Sequence, residues 1–165
     1  MKWSVWVRCI LVALTILTIA FIFSNSLEDS STSASTSESV GEVIEDAVNN
    51  VVSGGTIHRG DEGFIEIPLK IIRDLAHVSE FVCLGFLLLL THRSYGSRLS
   101  RVYLPVLIGS SVALTDEIIQ IFVPGRAFEL TDWVLDDVGV LIGTLIGVVL
   151  GYLILKPKTI SNTQD

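Results

Sequence analysis

The sequence predicts an all-α polytopic membrane protein: a bundle of four transmembrane helices with an additional amphipathic helix in the first extracytoplasmic loop. Half of the 165 residues are hydrophobic, the mean hydropathy is +0.63, and the apolar residues come in long runs instead of the alternation that marks a half-buried strand. About 20 mostly apolar residues are needed to cross the hydrocarbon of a bilayer. The predicted spans cover residues 5–23, 68–91, 102–123 and 133–155.

These spans are predicted to form one membrane domain over residues 1–158, with an extracytoplasmic loop over residues 24–67 and a short cytoplasmic tail over residues 159–165. Pro68 begins the second span because proline is favoured in the first turn of a helix. The first span also resembles a secretory signal peptide, but no small-x-small cleavage site follows Phe23. An uncleaved anchor is therefore the favoured interpretation.

The distribution of basic residues predicts the orientation. Lysine and arginine precede the first span, fill the second loop and follow the last span, whereas acids dominate the first and third loops. By the positive-inside rule, the protein lies in the cell membrane with both termini in the cytoplasm. The net charge of −7 then lies mostly on the outer face, and it argues against nucleic acid as a partner.

The long first loop has two parts. Residues 24–39 form a tract rich in serine and threonine that is too polar to bury a core by itself. Valine, isoleucine and alanine then recur at helical spacing over residues 40–52, with Ser39 and Glu42 as a capping box and Gly54 at the end. We predict that this helix lies on the membrane surface or packs on the bundle as a lid. Residues 59–61 are predicted as loop and residues 64–67 as extended.

Ionisable side chains interrupt the apolar spans. Such groups are costly in hydrocarbon, so they usually face a bundle interior and mark a functional site. In the second span the polar residues fall at i, i+4 and i+7, and i, i+4 pairs follow in the third and fourth spans. Each ion pair alone would be explained by holding helices in register, but the whole set favours a pocket open to the outside. The predicted pocket residues are Arg73, His77, Glu80, Asp116, Glu117, Gln120, Arg126, Asp132 and Asp136.

The fourth span also carries a glycine stripe, with glycines four residues apart at Gly139, Gly143, Gly147 and Gly151. Such a stripe lets another helix approach closely. The predicted partner is either the third span, through Ser110, Ser111 and Ala113, or the same stripe in a second subunit, which would form a homodimer. Packing within the bundle is the favoured alternative.

Three groups of residues resemble the VanZ-like family, named after a teicoplanin-resistance protein of glycopeptide-resistant bacteria. They are Phe23-Ser24-Asn25-Ser26; Arg73 with Ala76-His77, Glu80 and Leu84-Gly85; and Asp116-Glu117-x-x-Gln120-x-Phe122-x-Pro124-Gly125-Arg126 followed by Asp132, Asp136 and Gly139. The chain departs from the family at Asp74, where a lysine is usual, and at Val78 and Phe81. The resemblance implies a bacterial integral membrane protein, linked in some members to reduced susceptibility to teicoplanin-type glycopeptides.

Three functions fit these observations. The favoured one is a binding module whose outward-open acidic pocket recognises an envelope amphiphile, either a lipid-linked precursor or a lipoglycopeptide; Arg73 and Arg126 would bind its phosphate or carboxylate groups. The second is a membrane enzyme, a metal-assisted hydrolase or transferase acting on a lipid-linked substrate. The third is a small cation- or proton-coupled transporter. Because no dedicated ligand spacing such as His-Glu-x-x-His occurs, we predict no metal and no cofactor. Membrane lipids are the expected surroundings, and catalysis is left open.

Overall fold

The computed structural model describes residues 3–54, 59, 61, 63–96 and 102–154, with side chains up to residue 152. Its helices are α1 (Val5–Ser26), α2 (Ser30–Ser53), α3 (Leu69–Ser94), α4 (Tyr103–Gln120) and α5 (Leu130–Ile154). No strand occurs within these ranges, so the all-α prediction is confirmed. The predicted tail over residues 159–165 lies outside the described residues.

Within the described residues, three helices are long and apolar enough to cross a membrane: α1, α3 and α5 over Leu130–Tyr152. The predicted set of four transmembrane helices is therefore not confirmed. Helix α4 has 18 residues and ends three residues before the predicted end of its span, because the chain turns tightly after Gln120. Asp116 and Glu117 in its last two turns also lower its hydropathy.

Side-chain contacts fix the helix directions. Arg8 near the start of α1 lies over the Tyr95 ring at 5.4 Å, and Asn25 near its end bonds Glu80 in α3, so these two helices are antiparallel. The tight contact of Gly109 with Val140 places α4 beside α5. The C-terminal ends of α1 and α4 thus meet the N-terminal ends of α3 and α5 at one end of the bundle.

The glycine stripe lies at the most extensive helix contact, between α5 and α3. A Cβ atom at Gly139 would lie 2.8 Å from the Val78 carbonyl oxygen, and one at Gly143 would collide with the Val82 carbonyl. Packing within the bundle is thus observed, although the partner is α3 and not the predicted third span. The homodimer stays a prediction. The adjoining core is formed by Ile22, Phe81, Leu84, Leu88, Ala113 and Val140.

Helix α2 begins nine residues before the predicted capping box, because the Asp29 side chain accepts the Thr32 N–H at 2.8 Å and caps the helix. Hydrogen bonds from Thr32 and Ser31 lower the pKa of Asp29 to about 2. The predicted end is confirmed, since Gly54 adopts the left-handed conformation with φ 67°. The serine-rich tract over residues 24–39 was predicted to be too polar to bury a core by itself. From Ser30 onward it is helical and forms the first part of α2, which contacts α3.

The face of α2 that contacts the bundle is small and polar. Its buried residues are Gly41, Glu45 and Asn49, whereas Val43 and Val51 of the predicted apolar face are exposed. The Glu45 carboxylate accepts the Ile67 N–H at 2.8 Å, and the Asn49 amide exchanges two hydrogen bonds with the Ile65 backbone. The predicted extended segment over residues 64–67 is thus irregular chain, held by side chains of α2.

Arg59 also contacts α2, through the Glu45 side chain. Its Nη2 donates to Glu45 Oε2 at 2.6 Å, so the first residue of the predicted loop over residues 59–61 is engaged within the chain. The Ile67 N–H and the Arg59 guanidinium both stabilise the charged form of Glu45 and lower the pKa of that carboxyl.

Candidate functional site

A cavity of about 460 Å³ opens where α2, the start of α3 and the α4–α5 connection meet. We call it the basic cavity because its lining contains three cations and one acid. Its lining residues are Ser30, Ser33, Ala34, Ser37, Leu69, Lys70, Arg73, Gln120, Gly125, Arg126, Ala127 and Glu129.

The three cations differ in their partners. Lys70 Nζ lies 3.2 Å from Glu129 Oε2, and Arg73 Nη2 lies 3.0 Å from Asp132 Oδ2. Arg126 has no described carboxylate within the 4.0 Å of an ion pair. Its guanidinium therefore provides a positive charge in the cavity that no acid of the described chain neutralises directly.

One wall of the basic cavity is a serine face of α2. Ser30, Ser33 and Ser37 recur at i, i+3 and i+7, which places their hydroxyl groups on one side of the helix. Gly125 allows this wall to approach the α4–α5 connection, since it has φ 77° and a Cβ there would collide with the Ser30 hydroxyl. These serines were not among the predicted site residues, although their helical spacing was an available signal.

Below the cavity lies a second layer of polar groups, which we call the buried cluster: His77, Asp116 and Asp136. Ligand-type atoms of these three side chains all lie within 4.8 Å of one another, and His77 Nδ1 is 4.0 Å from Asp136 Oδ1. Asp116 and Asp136 are fully buried.

The two layers are linked by helix geometry. His77, Asp116 and Asp136 are each four residues from another polar residue: Arg73, Gln120 and Asp132, respectively. Arg73 and Gln120 line the cavity, and Asp132 pairs with Arg73. Residues four apart share a helix face about one turn, or ~5.4 Å, from each other. The buried cluster therefore lies about one turn deeper in the bundle than the cations of the cavity.

Helix α1 closes the deep side of the site. The Ser26 hydroxyl donates to Asp116 Oδ1, and Asn25 Nδ2 donates to Glu80 Oε1 at 2.8 Å. Gln120 Nε2 reaches the other oxygen of Asp116 at 3.3 Å. Asn25 and Ser26 belong to the first of the three groups that resemble the VanZ-like family, and nothing in their spacing indicated that they contact the acids.

Glu117 joins the end of α4 to the start of α5. Its side chain is buried, and its Oε2 accepts the Glu129 N–H at 2.9 Å, one residue before α5 begins. This bond fixes the connection that carries Arg126 and Glu129 into the cavity wall. Glu117 thus positions the site from behind the cavity lining.

Several buried polar atoms have no hydrogen-bond partner among the described residues. They include both carboxylate oxygens of Asp136, His77 Nδ1, Glu80 Oε2 and Glu117 Oε1. Unpaired polar groups in a protein interior are energetically costly and are usually satisfied by water, protons or ions. The buried cluster therefore has free capacity to bind a small polar ligand.

The nine predicted pocket residues all lie at this end of the bundle, but they form two layers of different charge. In the predicted acidic pocket, the charged residues that line the cavity are mainly cations, and most of the acids lie deeper. Asp74, which replaces a lysine usual in the similar family, is not among the cavity-lining residues; Lys70, one turn earlier, supplies a second cation beside Arg73.

Comparison with known proteins gives one family. No curated protein and no solved structure matches the chain. The model of the VanZ/LLP1 family matches residues 9–155, which include every helix that lines the cavity and the whole buried cluster. The chain belongs to the VanZ/LLP1 family.

Proposed function

We propose that this VanZ-like membrane protein binds the anionic headgroup of an envelope amphiphile, a lipid-linked precursor carrying phosphate, in the basic cavity. One observation carries the proposal: Arg126 lines the cavity with no described carboxylate within ion-pair distance. An arginine in that position offers several N–H donors and suits bidentate binding of phosphate.

The electrostatics of the cavity support an anion. Burial and the neighbouring Arg73 guanidinium lower the pKa of Arg126, because both disfavour its positive charge. An arriving phosphate reverses that penalty. The serine hydroxyl groups of α2 add neutral donors, and the N-terminal ends of α3 and α5, which favour negative charge, open toward the same space.

A groove of about 400 Å³ between α1 and α3 suits the apolar tail of such a ligand. Its lining is mostly apolar: Leu14, Leu17, Thr18, Phe21, Ser79, Glu80 and Cys83. Glu80 lies seven residues after Arg73 on the same helix face, so the groove begins about 10 Å below the cavity by helical rise. A headgroup in the cavity and a chain in the groove would place the ligand along α3.

The test is a binding titration of purified protein in nanodiscs with a polyprenyl diphosphate, followed by native mass spectrometry. Loss of one charge-assisted contact costs roughly 1.5–3 kcal/mol, so Arg126→Gln should weaken binding about 10- to 100-fold. Arg59→Gln is the matched control, since Arg59 is paired with Glu45 away from the cavity, and should leave affinity unchanged. Equal affinity of Arg126→Gln and the wild type would contradict the proposal.

A glycopeptide role is tested separately. Cells expressing wild-type or Arg126→Gln protein at equal abundance would be compared for teicoplanin susceptibility, and competition between teicoplanin and the polyprenyl diphosphate would be measured in nanodiscs. Protection that depends on Arg126, together with competition, would extend the proposal to lipoglycopeptides. Protection without competition would mean that resistance does not depend on teicoplanin binding in the cavity.

A second candidate function is hydrolysis or group transfer on the bound lipid-linked ligand. It is favoured by the position of His77 and Asp136, one turn below the cavity with their facing atoms 4.0 Å apart. These groups suit proton transfer beside a phosphate held by Arg126. Phosphate release from the polyprenyl diphosphate, measured for wild type and His77→Gln, decides the matter: binding with no release in the wild type leaves a binding module.

A further inference from the structure

The geometry points to a binding site for one divalent transition-metal ion in the buried cluster, held by the imidazole of His77 and the carboxylates of Asp116 and Asp136. This site lies outside the basic cavity, and we propose it independently of the amphiphile. It also departs from the prediction of no metal, which relied on the lack of a local ligand motif.

The distances fit a coordinated ion. Metal–ligand bonds of about 2.1–2.4 Å separate ligands on opposite sides of an ion by roughly 4.2–4.8 Å. Ligand-type atoms of all three side chains lie within 4.8 Å of one another. Small side-chain rotations would bring them onto a common centre, and three protein ligands leave coordination positions for water or a phosphate oxygen.

The hydrogen bonding gives a second, independent indication. Asp136 is fully buried, and neither of its oxygens has a hydrogen-bond partner within the described part of the chain. His77 Nδ1, 4.0 Å away, also lacks one there. Two groups that face each other without hydrogen-bond partners have lone pairs available to bind a shared cation.

The nearby charges also favour a cation. Asp116 and Asp136 bring two carboxyl groups into the cluster, which a bound cation would hold in their ionised form, and Arg73 on α3 is already paired with Asp132 at 3.0 Å. Asp116 is held in place from two sides by Ser26 and Gln120, as the supporting residues of metal ligands commonly are. One nitrogen with carboxylate oxygens suits Mn²⁺ or Zn²⁺ better than Mg²⁺ or Ca²⁺, which prefer oxygen alone.

The experiment uses full-length protein in nanodiscs, stripped with chelator and titrated with Mn²⁺ in the absence of added lipid ligand. Free Mn²⁺ would be followed by electron paramagnetic resonance and Zn²⁺ by competition. The wild type should bind one Mn²⁺ per chain, and Asp136→Asn and His77→Gln should each weaken binding at least tenfold. Asp137→Asn, which changes the next acid on α5 outside the cluster, should bind as the wild type does.

Stoichiometric binding that is equally tight in Asp136→Asn and the wild type would overturn the site, as would a stripped wild type that binds neither ion. Each variant is checked for wild-type unfolding in SDS, and if Asp136→Asn does not fold, His77→Gln decides. Because no amphiphile is present, the outcome does not depend on Arg126. Failure of lipid binding and failure of metal binding are therefore distinguishable.

Discussion

The contact between α3 and α5 allows one substitution to test how the glycine stripe works. A Cβ atom at Gly143 would collide with the Val82 carbonyl oxygen and lie 2.9 Å from the Phe86 nitrogen, both of them backbone atoms that move only if the helices separate. At Gly147 the nearest atom is Leu89 Cδ2 at 2.8 Å, the far end of a side chain that can rotate. Gly143→Ala and Gly147→Ala therefore add the same methyl group to two different kinds of contact.

The magnitudes follow from what must move. Overpacking that shifts backbone costs up to about 3 kcal/mol, and we assign that value to Gly143→Ala. Turning a side chain away from its preferred rotamer costs about 1 kcal/mol, which we assign to Gly147→Ala. The gain in helix propensity does not enter, since transmembrane helices remain formed after their contacts are lost. The two variants should differ by about 2 kcal/mol.

Reversible unfolding in mixed micelles with increasing SDS measures this difference, with tryptophan fluorescence as the signal because Trp133 packs against the core. Oligomeric state is measured in parallel by crosslinking. Equal destabilisation by the two variants would refute the packing argument. If Gly143→Ala left the free energy of unfolding unchanged but abolished a dimer, the stripe would act between subunits and not within the bundle.

Three further predictions concern α2 and its neighbours. The pKa of Glu45 lies below its ordinary 4.5, so its contribution to stability is present above pH 4.5 and is lost as the pH falls below that value. Hydrogen exchange at Ile67, corrected for intrinsic rates, should therefore accelerate below pH 4.5. In Glu45→Gln this pH dependence should disappear. Asp29→Ala should speed exchange in the first turn of α2, whereas Asp29→Ser should not, because serine also caps helices; equal exchange in both would exclude a capping role. Gly125→Ala should destabilise the protein by about 1–2 kcal/mol in SDS unfolding, because a non-glycine residue is strained at φ 77° and its Cβ would collide with Ser30. An unchanged midpoint of the SDS unfolding transition would contradict this prediction.

The sequence was sufficient for the helices whose signal is local. The long apolar runs predicted α1, α3 and α5, and Gly54 predicted the end of α2 because a left-handed cap is a property of a single residue. The start of α2 was missed, because a serine tract has no apolar periodicity and Asp29 caps the helix ahead of it. The apolar spacing did not indicate which face of α2 contacts the bundle, for a related reason: Glu45 and Asn49 are buried by bonds to residues 65 and 67, which no helical pattern contains.

The sequence predicted which residues lie at the site but not how they are arranged in it. The cost of charge in hydrocarbon selected nine residues that the fold places at one end of the bundle. Spacing within each helix predicted the pairs Arg73–His77, Asp116–Gln120 and Asp132–Asp136, but spacing alone does not say which member of each pair lies deeper. That depends on helix direction: α4 runs opposite to α3 and α5, so its acid precedes the residue at the cavity, whereas on the other two helices the deeper group follows.

This reversal explains why His77, Asp116 and Asp136 meet in one layer, although Asp116 precedes its i, i+4 partner in the sequence and the other two follow theirs. Helices α3 and α4 each bring a cavity-lining residue, Arg73 or Gln120, and its i, i+4 neighbour in the buried cluster. The pair Arg73–Asp132 closes the upper layer between α3 and α5, directly above the facing atoms of His77 and Asp136. A headgroup that drew Arg73 away from Asp132 would free a carboxylate one turn above the buried cluster and bring its phosphate toward that cluster. Anion binding in the cavity and cation binding beneath it should then strengthen each other, because opposite charges one helical turn apart in a poorly solvated interior attract strongly.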